Sequence, residues 1–202
     1  HISEMQRQNP DIVLVAGDFV DDGTTRQQMI EACRALGSLQ TTYGVYFAFG
    51  NHDKGYHDPA ARGFTGDDLI TELKKNNVKV LQDENTLIDN RFYIIGRKDF
   101  SEILRGNPRQ SMNELLQNLN KEKFSIILDH QTLPSSFFFQ TDSNLAAILC
   151  VFQSIRQNLF CHKLQPFFIC KNYSFHRPVI QTDLLKNKHL RIFPDRLFQN
   201  LI

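Results

Sequence analysis

Three short, largely apolar runs along the chain each end in a polar turn. The runs cover residues 12–16, 45–49 and 124–128, and they are rich in β-branched and aromatic side chains. Apolar runs of this length, bounded by turn residues, predict strands of a parallel sheet that is buried on both faces. Because ligands in open α/β sheets bind at the carboxyl ends of the strands, the polar residues after each run are candidates for a functional site.

The segments between these strands predict helices and a hairpin. Helices are predicted at residues 1–8, from Thr24 or Thr25 to about Leu39, from Gly66 or Asp67 through Lys75, and from Ser111 to about Leu119. Further strands are predicted at residues 78–81, 86–88 and 92–96, with Asn90 and Arg91 as a hairpin turn. A βαβ rhythm with antiparallel additions is typical of an α/β fold.

The composition indicates an ordinary globular chain. Its 202 residues are enough for one domain with a sizeable core. Charge is unevenly distributed, because residues 1–131 carry a net charge of −4 and residues 132–202 a net charge of +5. The overall net charge is nevertheless only +1, with 22% charged residues. We therefore expect no nucleic-acid partner and no electrostatic commitment to a membrane surface.

The three polar turns supply a carboxylate, a carboxamide and an imidazole. Asp18 follows the first strand, Asn51 the second and His130 the third. This mixed set of oxygen and nitrogen ligands suits borderline divalent ions such as Mn²⁺, Fe²⁺ or Zn²⁺, whereas an all-oxygen set suits Mg²⁺ or Ca²⁺. His52 adjoins Asn51 but is expected to point elsewhere, because neighbouring residues of a turn project in different directions. The sequence therefore predicts a metal site with a histidine that faces the substrate.

The motifs GDFVDD, GNHD and DHQ, in this order and each after a strand, resemble the calcineurin-like metallophosphoesterase superfamily. Residues from about 11 to 130 are similar to its bacterial predicted phosphohydrolases. The resemblance implies an α/β fold of the metallophosphoesterase type, a two-sheet β-sandwich flanked by helices. It also implies hydrolysis of a phosphomonoester, phosphodiester or pyrophosphate by a metal-activated water. Phosphorylated small molecules and lipid-linked phosphates are the substrate classes that it implies.

The resemblance also assigns roles to five side chains. Asp18 would bridge two divalent ions in a dinuclear centre, and Asn51 and His130 would ligate one of them. His52 would donate a proton to the leaving oxygen or steady the phosphoryl charge, a role that suits imidazole near neutral pH. Asp21 would pair with His52, orient it and keep it protonated.

Four other residues are weaker candidates. Asp53 either supports the metal ligands from behind or caps its own turn. Arg62 and His57 lie in a long loop after the second strand, where either could meet a phosphate, although a solvated loop is the preferred interpretation. Cys33 lies on the apolar face of a predicted helix and is expected in the core.

Two motifs of the superfamily are absent from this sequence. No Asp-x-His motif precedes the first strand, and no Gly-His-x-His motif follows Gln131. We therefore expect an incomplete fold that begins inside a longer protein, weak binding of a second ion and an impaired enzyme. A non-catalytic remnant or a binding protein on the same scaffold is the alternative. A membrane tether in a preceding segment stays open, as does the choice between a cytoplasmic and a membrane-associated location.

The character of the chain changes after Gln131. All ten glycines lie at or before Gly106, so residues 107–202 contain none. We interpret residues 1–131 as a partial phosphoesterase domain and residues 132–202 as a tail of uncertain origin, frameshifted or poorly ordered. An appended helical segment at residues 145–160 is the alternative. The longest apolar run there has eight residues, too few for a membrane span, and no Cys-x-x-Cys spacing suggests a zinc site.

Overall fold

The strands that the sequence predicts around the candidate site all form. A computed structural model describes residues 2–55 and 59–131, together with the backbone of three strands at residues 146–150, 167–170 and 190–193. Within these residues the elements are, in chain order, α1 (Ile2–Arg7), β1 (Ile12–Ala16), α2 (Arg26–Gly37), β2 (Val45–Ala48), α3 (Pro59–Arg62), α4 (Gly66–Lys75), β3 (Val78–Val80), β4 (Glu84–Ile88), β5 (Phe92–Gly96), α5 (Ser101–Leu104), α6 (Met112–Leu116), β6 (Phe124–Asp129), β7 (Ala146–Cys150), β8 (Phe167–Cys170) and β9 (Leu190–Phe193).

Two sheets organise these elements. The first has the strand order β3-β2-β1-β8-β9, and the second has the order β4-β5-β6-β7. β1 pairs in parallel with β2, and β5 pairs in parallel with β6. β4 and β5 form the antiparallel hairpin expected around Asn90 and Arg91. Each sheet therefore carries a pair of parallel strands whose carboxyl ends lie side by side. The prediction of one parallel sheet through all three apolar runs is wrong, because β1 and β2 belong to the first sheet and β6 to the second.

The two sheets bury an apolar core between them. Side chains of both sheets form it: Ile12, Leu14, Ala16, Tyr46 and Ala48 from the first, with Ile88, Phe92, Ile94, Ile126 and Leu128 from the second. On its other face the first sheet packs against α1, α2 and α4, and the second sheet packs against α6. This arrangement of two sheets flanked by helices confirms the fold class that the sequence predicts.

Three helices begin with a capping box, and two of the cap residues, Thr25 and Ser111, are caps that the sequence predicts. At each start the hydroxyl of the cap residue accepts a hydrogen bond from the backbone N–H of the residue three positions later. The side chain of that later residue accepts a hydrogen bond from the backbone N–H of the cap residue. The pairs are Thr25 with Gln28, Thr65 with Asp68, and Ser111 with Glu114. α2 ends at Gly37 and α6 at Leu116, so both are slightly shorter than predicted.

The described part of the tail consists of strands, one of which covers residues 146–150, so the alternative of a helix over residues 145–160 is wrong for those five residues. Residues 151–160 lie outside the described residues. β7 pairs in parallel with β6, and β8 pairs antiparallel with β1. The apolar run of β7 is too short for its periodicity to distinguish a strand from a buried helix, and pairing with β6 decides between them. The domain boundary at residue 131 stays a prediction. None of the helices described combines the length and the apolar character needed to cross a bilayer.

Candidate functional site

Glycines allow three loops to meet at one edge of the sandwich. Gly17 follows β1 with φ of 92°, and a Cβ there would lie 2.5 Å from Gly50 N and 2.6 Å from His130 Nδ1. A Cβ on Gly50 would lie 2.3 Å from Asp18 Oδ1. A side chain at either position would collide with the facing loop. The loops after β1, β2 and β6 therefore converge, as the sequence predicts.

His130 is fully buried, and the backbone of β1 holds its ring. Its Nδ1 lies 2.9 Å from the carbonyl oxygen of Ala16. Because a carbonyl can only accept, Nδ1 donates to it, and Nε2 of the neutral ring keeps its lone pair. Nε2 lies 3.2 Å from Asp18 Oδ2 but has no partner of hydrogen-bond geometry among the described residues. A ring held by a carbonyl through one nitrogen, with the other nitrogen facing a carboxylate, is an arrangement that metal-ligating histidines adopt.

Asp18 and His130 strongly affect each other's protonation. Burial alone raises the pKa of Asp18 and lowers the pKa of His130, because it disfavours charge. The contact between the two groups outweighs burial, so the pKa of Asp18 is lowered and the pKa of His130 is raised to about 9. Without a metal ion these side chains therefore form an ion pair, with a proton on Nε2. A divalent cation competes with that proton for the same lone pair.

Asn51 reaches the same edge through the loop after β2. Its Oδ1 accepts a hydrogen bond from Gln131 Nε2 at 2.8 Å, which ties this loop to the one after β6. The oxygen keeps a second lone pair that can face a cation. Sequence reasoning misses Gln131, because no local pattern signals a contact between two amides that lie 80 residues apart.

The carboxylate beside His52 is that of Asp22, which corrects the pairing expected with Asp21. His52 Nδ1 lies 3.1 Å from Asp22 Oδ2. Asp21 Oδ1 instead accepts bonds within its own turn, from Gly23 N at 3.0 Å and Thr24 Oγ1 at 2.8 Å. The turn, rather than the order of residues, decides which of the two neighbouring carboxylates faces the histidine. The catalytic role of either carboxylate stays a prediction.

Asp53 joins two of the site loops through its buried carboxylate. Oδ1 accepts from Phe19 N at 2.8 Å and from Val20 N at 3.0 Å, and Oδ2 accepts from Gly50 N at 2.8 Å. Burial and then the negative charge of Asp18 raise the pKa of Asp53 to about 7. Its contacts therefore extend well beyond the cap of its own turn.

Arg62 binds the main chain of the loop after β2 through its guanidinium. Its guanidinium is buried and donates to the carbonyl oxygens of His52 and Asp53, both at 2.9 Å, and of Phe64 at 3.2 Å. Gly55 packs directly on the guanidinium, since a Cβ there would lie 2.4 Å from Arg62 Cζ. Both interpretations of Arg62 from the sequence, as a phosphate ligand or a solvated side chain, are therefore wrong. His57 lies outside the described residues.

The second sheet contributes a buried charge cluster next to His130. Asp129 accepts from Arg109 Nη2 at 2.6 Å and from Arg97 Nη1 at 3.1 Å. Burial raises the pKa of Asp129, and the positive charges of Arg109 and Arg97 act in the opposite direction. Both arginines lie between β5 and α6, Arg97 directly after β5 and Arg109 after α5, so the cluster fastens this segment to the end of β6.

The carboxylate, imidazole and amide groups at this edge are of the chemical types that bind divalent ions. Within the residues that the structure describes, three buried side-chain atoms lack a hydrogen-bond partner: His130 Nε2, Asp99 Oδ2 and Ser101 Oγ, which all follow β5 or β6. No group of three or more His, Cys, Asp and Glu side chains that could hold a metal ion occurs in the described part of the chain. Asp18 Oδ2 and His130 Nε2 lie 3.2 Å apart, and Asn51 offers an amide oxygen in the loop after β2. The role of these three residues as metal ligands stays a prediction.

Comparison with known proteins identifies the class to which this fold and site belong. A family model for the calcineurin-like phosphoesterases matches residues 1–163. The chain therefore belongs to the calcineurin-like phosphoesterase family, whose members use divalent metal ions and hydrolyse phosphoric esters. The match extends beyond residue 131 and includes β7.

Two relatives illustrate the breadth of this family. The chain is 29% identical over 147 residues to the uncharacterized metallophosphoesterase Cj0846 of Campylobacter jejuni, which covers 71% of this chain and 36% of that protein. It is 26% identical over 155 residues to a transmembrane protein with metallophosphoesterase domain of Danio rerio, covering 73% of this chain and 34% of that protein. The chain thus spans about a third of the length of each relative. No solved structure matches the chain significantly.

Proposed function

We propose that this chain hydrolyses a phosphoric ester with the help of a divalent metal ion. Asp18, Asn51 and His130 hold the ion, which is Mn²⁺, Fe²⁺ or Zn²⁺ by the chemistry of these donors. The observation that carries the proposal is His130 Nε2, a buried atom that faces Asp18 Oδ2 at 3.2 Å and lacks a hydrogen-bond partner among the described residues. Without a metal ion this atom carries a proton in the ion pair with Asp18, and a divalent cation takes the place of that proton on the same lone pair.

The surroundings of the proposed ligands suit this task. The carbonyl of Ala16 fixes the His130 ring, and the backbone N–H of His52 holds Asp18 Oδ1 at 3.1 Å. Both ligands are therefore oriented before any ion arrives, which lowers the cost of binding it. When bound, the metal ion supplies charge to the phosphoryl oxygens and lowers the pKa of a bound water.

His52 is the residue that we propose as proton donor to the leaving oxygen. Its side chain is 27% exposed, so part of the ring can meet a substrate. The Asp22 carboxylate can only accept, so Nδ1 donates to it, and we propose Nε2 as the nitrogen that passes its proton to the leaving group. Transfer of a proton by a positioned imidazole is common in hydrolases that work near neutral pH.

The proposed substrate is a phosphorylated small molecule or a lipid-linked phosphate. The residues of the edge recognise the phosphoryl group, and loops select the rest of the substrate. The name of the Danio rerio relative joins a metallophosphoesterase domain to a transmembrane protein, which supports lipid-linked phosphates as one of the two classes.

We further propose that a first ion binds more tightly than a second. The first ion finds three donors in Asp18, Asn51 and His130, whereas the second keeps only Asp18 when the ligands are counted against the superfamily motifs that this sequence lacks. Because hydrolysis at a dinuclear centre relies on both ions, we expect slow turnover by this chain. Two tightly bound ions per chain would contradict this part of the proposal.

The test measures Mn²⁺ binding and Mn²⁺-dependent hydrolysis of bis-para-nitrophenyl phosphate by the purified chain. His52→Ala should abolish hydrolysis and leave Mn²⁺ binding intact, whereas His130→Ala should lose both. Asp68→Asn is the control for a changed carboxylate, because Asp68 is bound to Thr65 and Arg26 on α4 and α2. A chain that binds no Mn²⁺ and hydrolyses the ester no faster than its His52→Ala variant would refute the proposal.

A further inference from the structure

Asp53 occupies an unusual position for a loop residue. Its side chain is fully buried, and its two oxygens accept three backbone N–H groups from two different loops. The bond from Gly50 closes the local turn after β2. The bonds from Phe19 and Val20 come from the loop after β1, which lies more than thirty residues earlier in the sequence.

Two of the three donors adjoin the proposed metal ligands. Phe19 follows Asp18 directly, and Gly50 precedes Asn51 directly. The N–H groups of Phe19 and Gly50 bind the same carboxylate. This carboxylate therefore fixes the main chain next to both ligands, Asp18 and Asn51. Three backbone N–H groups share this one buried acceptor, so the main chain of both loops is held at three points.

The hydrogen bonds of Asp53 exceed those of a residue that only caps its own turn. The single bond between Gly50 N and Oδ2 is sufficient for a cap of the turn. Oδ1 instead holds two successive N–H groups of the other loop, which a cap does not require. Arg62 reinforces the link, because it donates to the carbonyl oxygen of Asp53 itself.

We propose that Asp53 is a positioning residue that sets the spacing between Asp18 and Asn51 and thereby the affinity of the site for its metal ion. The inference rests on the proposed function, since it takes these two residues as ligands. Residues that orient metal ligands from behind affect metal affinity about 10–100-fold when they are changed.

The test compares Mn²⁺ binding to the full chain with Asp53→Asn and Asp83→Asn. Asp53→Asn is nearly isosteric and leaves Oδ1 for the loop after β1, but it turns an NH₂ group toward the N–H of Gly50. Asp83 is a matched control because its carboxylate also joins two backbone N–H groups, of Lys98 and Gln110, each at 2.9 Å. Titration with Mn²⁺ and the stability of each variant in urea are both measured.

We expect Asp53→Asn to weaken Mn²⁺ binding at least about tenfold, and Asp83→Asn to lose stability without losing affinity. Equal Mn²⁺ affinity in wild type and Asp53→Asn would overturn the inference and leave the proposed function standing. Equal losses of affinity in both variants would also overturn it, since they would reflect general destabilisation. Wild type that binds no Mn²⁺ would overturn the proposed function itself.

A second variant covers the case in which Asp53→Asn does not fold. Asp53→Glu keeps the charge and the acceptor oxygens but displaces them by one methylene, so it separates position from charge. We expect Asp53→Glu to raise the Mn²⁺ concentration needed for half saturation. A value equal to that of wild type would show that position is unimportant and would overturn the inference.

Discussion

The buried cluster around Asp129 makes a strong prediction about stability. Asp129 is fully buried, and the side chains of Arg109 and Arg97 that contact it are only 1% and 10% exposed. Solvent therefore screens these charges very little. Each guanidinium also donates through Nε to a backbone carbonyl, Arg109 to Lys98 and Arg97 to Gln110.

Asp129→Ala should lower the free energy of unfolding by about 4 kcal/mol. Removing one partner of a buried charge cluster typically costs about 3–5 kcal/mol, because a buried charge is left uncompensated. Here two guanidiniums lose their carboxylate at once, which favours a large effect. Each keeps one bond to a carbonyl, which limits the loss.

Urea unfolding followed by circular dichroism measures this loss. The control is Arg26→Met, which removes the pair with Asp68, whose side chains are 55% and 34% exposed. Such a surface pair contributes only about 0.2–1 kcal/mol. A loss in Asp129→Ala no greater than that of the control would show that water screens the cluster, and would refute the reasoning. Replacing the three charged residues together by Leu and Met should recover most of the stability, because apolar groups of similar volume fill the space.

Three other positions give predictions that are simple to measure. Burial is the main reason that the pKa of the Cys33 thiol is raised to about 12. At pH 8 iodoacetamide should therefore modify Cys33 on the order of 1,000-fold more slowly in the folded chain than in the unfolded chain. Peptide mass spectrometry measures both rates. Gly96→Ala should cost about 1–3 kcal/mol in urea unfolding, because a Cβ there would lie 2.3 Å from Leu81 Cβ. Thr65→Ala should cost about 1 kcal/mol, because it removes the cap of α4. Thr65→Ala should also make stability less sensitive to acid. Bonds from the backbone and hydroxyl of Thr65 lower the pKa of Asp68. The stability that these bonds contribute is complete above the ordinary pKa of 3.8 and is lost as the pH falls through the lowered pKa.

Each of these predictions has its own control. Modification of Cys33 at the same rate in both states would place the thiol at the surface. Gly23→Ala should change stability by less than about 0.5 kcal/mol, because a Cβ there meets only Asp21 Oδ1 at 3.5 Å. Thr65→Ser keeps the hydroxyl and should restore both the stability and the response to acid. If Thr65→Ser behaved as Thr65→Ala does, the hydroxyl would not be the cause.

The framework of the site is predictable because it depends on residues that are close in sequence. A capping box such as Thr65 with Asp68 spans three positions, and an apolar run followed by a polar turn spans about ten. Parallel strands end at the same edge of a sheet, so the meeting of the loops of Asp18 and Asn51 follows from the pattern alone. His130 follows β6 of the other sheet, so its approach to Asp18 depends on how the two sheets pack. Capping boxes and strand ends can therefore be predicted without knowledge of contacts between distant residues.

The parts that sequence reasoning misses depend on contacts between distant residues. Asp21 and Asp22 are chemically identical neighbours, and only the direction of the turn places Asp22 beside His52. Arg62 resembles a solvated loop residue until the fold surrounds its guanidinium with three carbonyl oxygens. Gln131 carries no signal at all before the loop after β2 brings Asn51 to it.

The carboxylate of Asp53 also determines how fast three amide hydrogens exchange with solvent. Phe19, Val20 and Gly50 lie in loops, where exchange is normally fast, yet all three donate to one fully buried acceptor. Their hydrogens can exchange only when the carboxylate releases them. The two loops therefore open as a single cooperative unit, and any ligand that binds the closed edge slows exchange in both loops together.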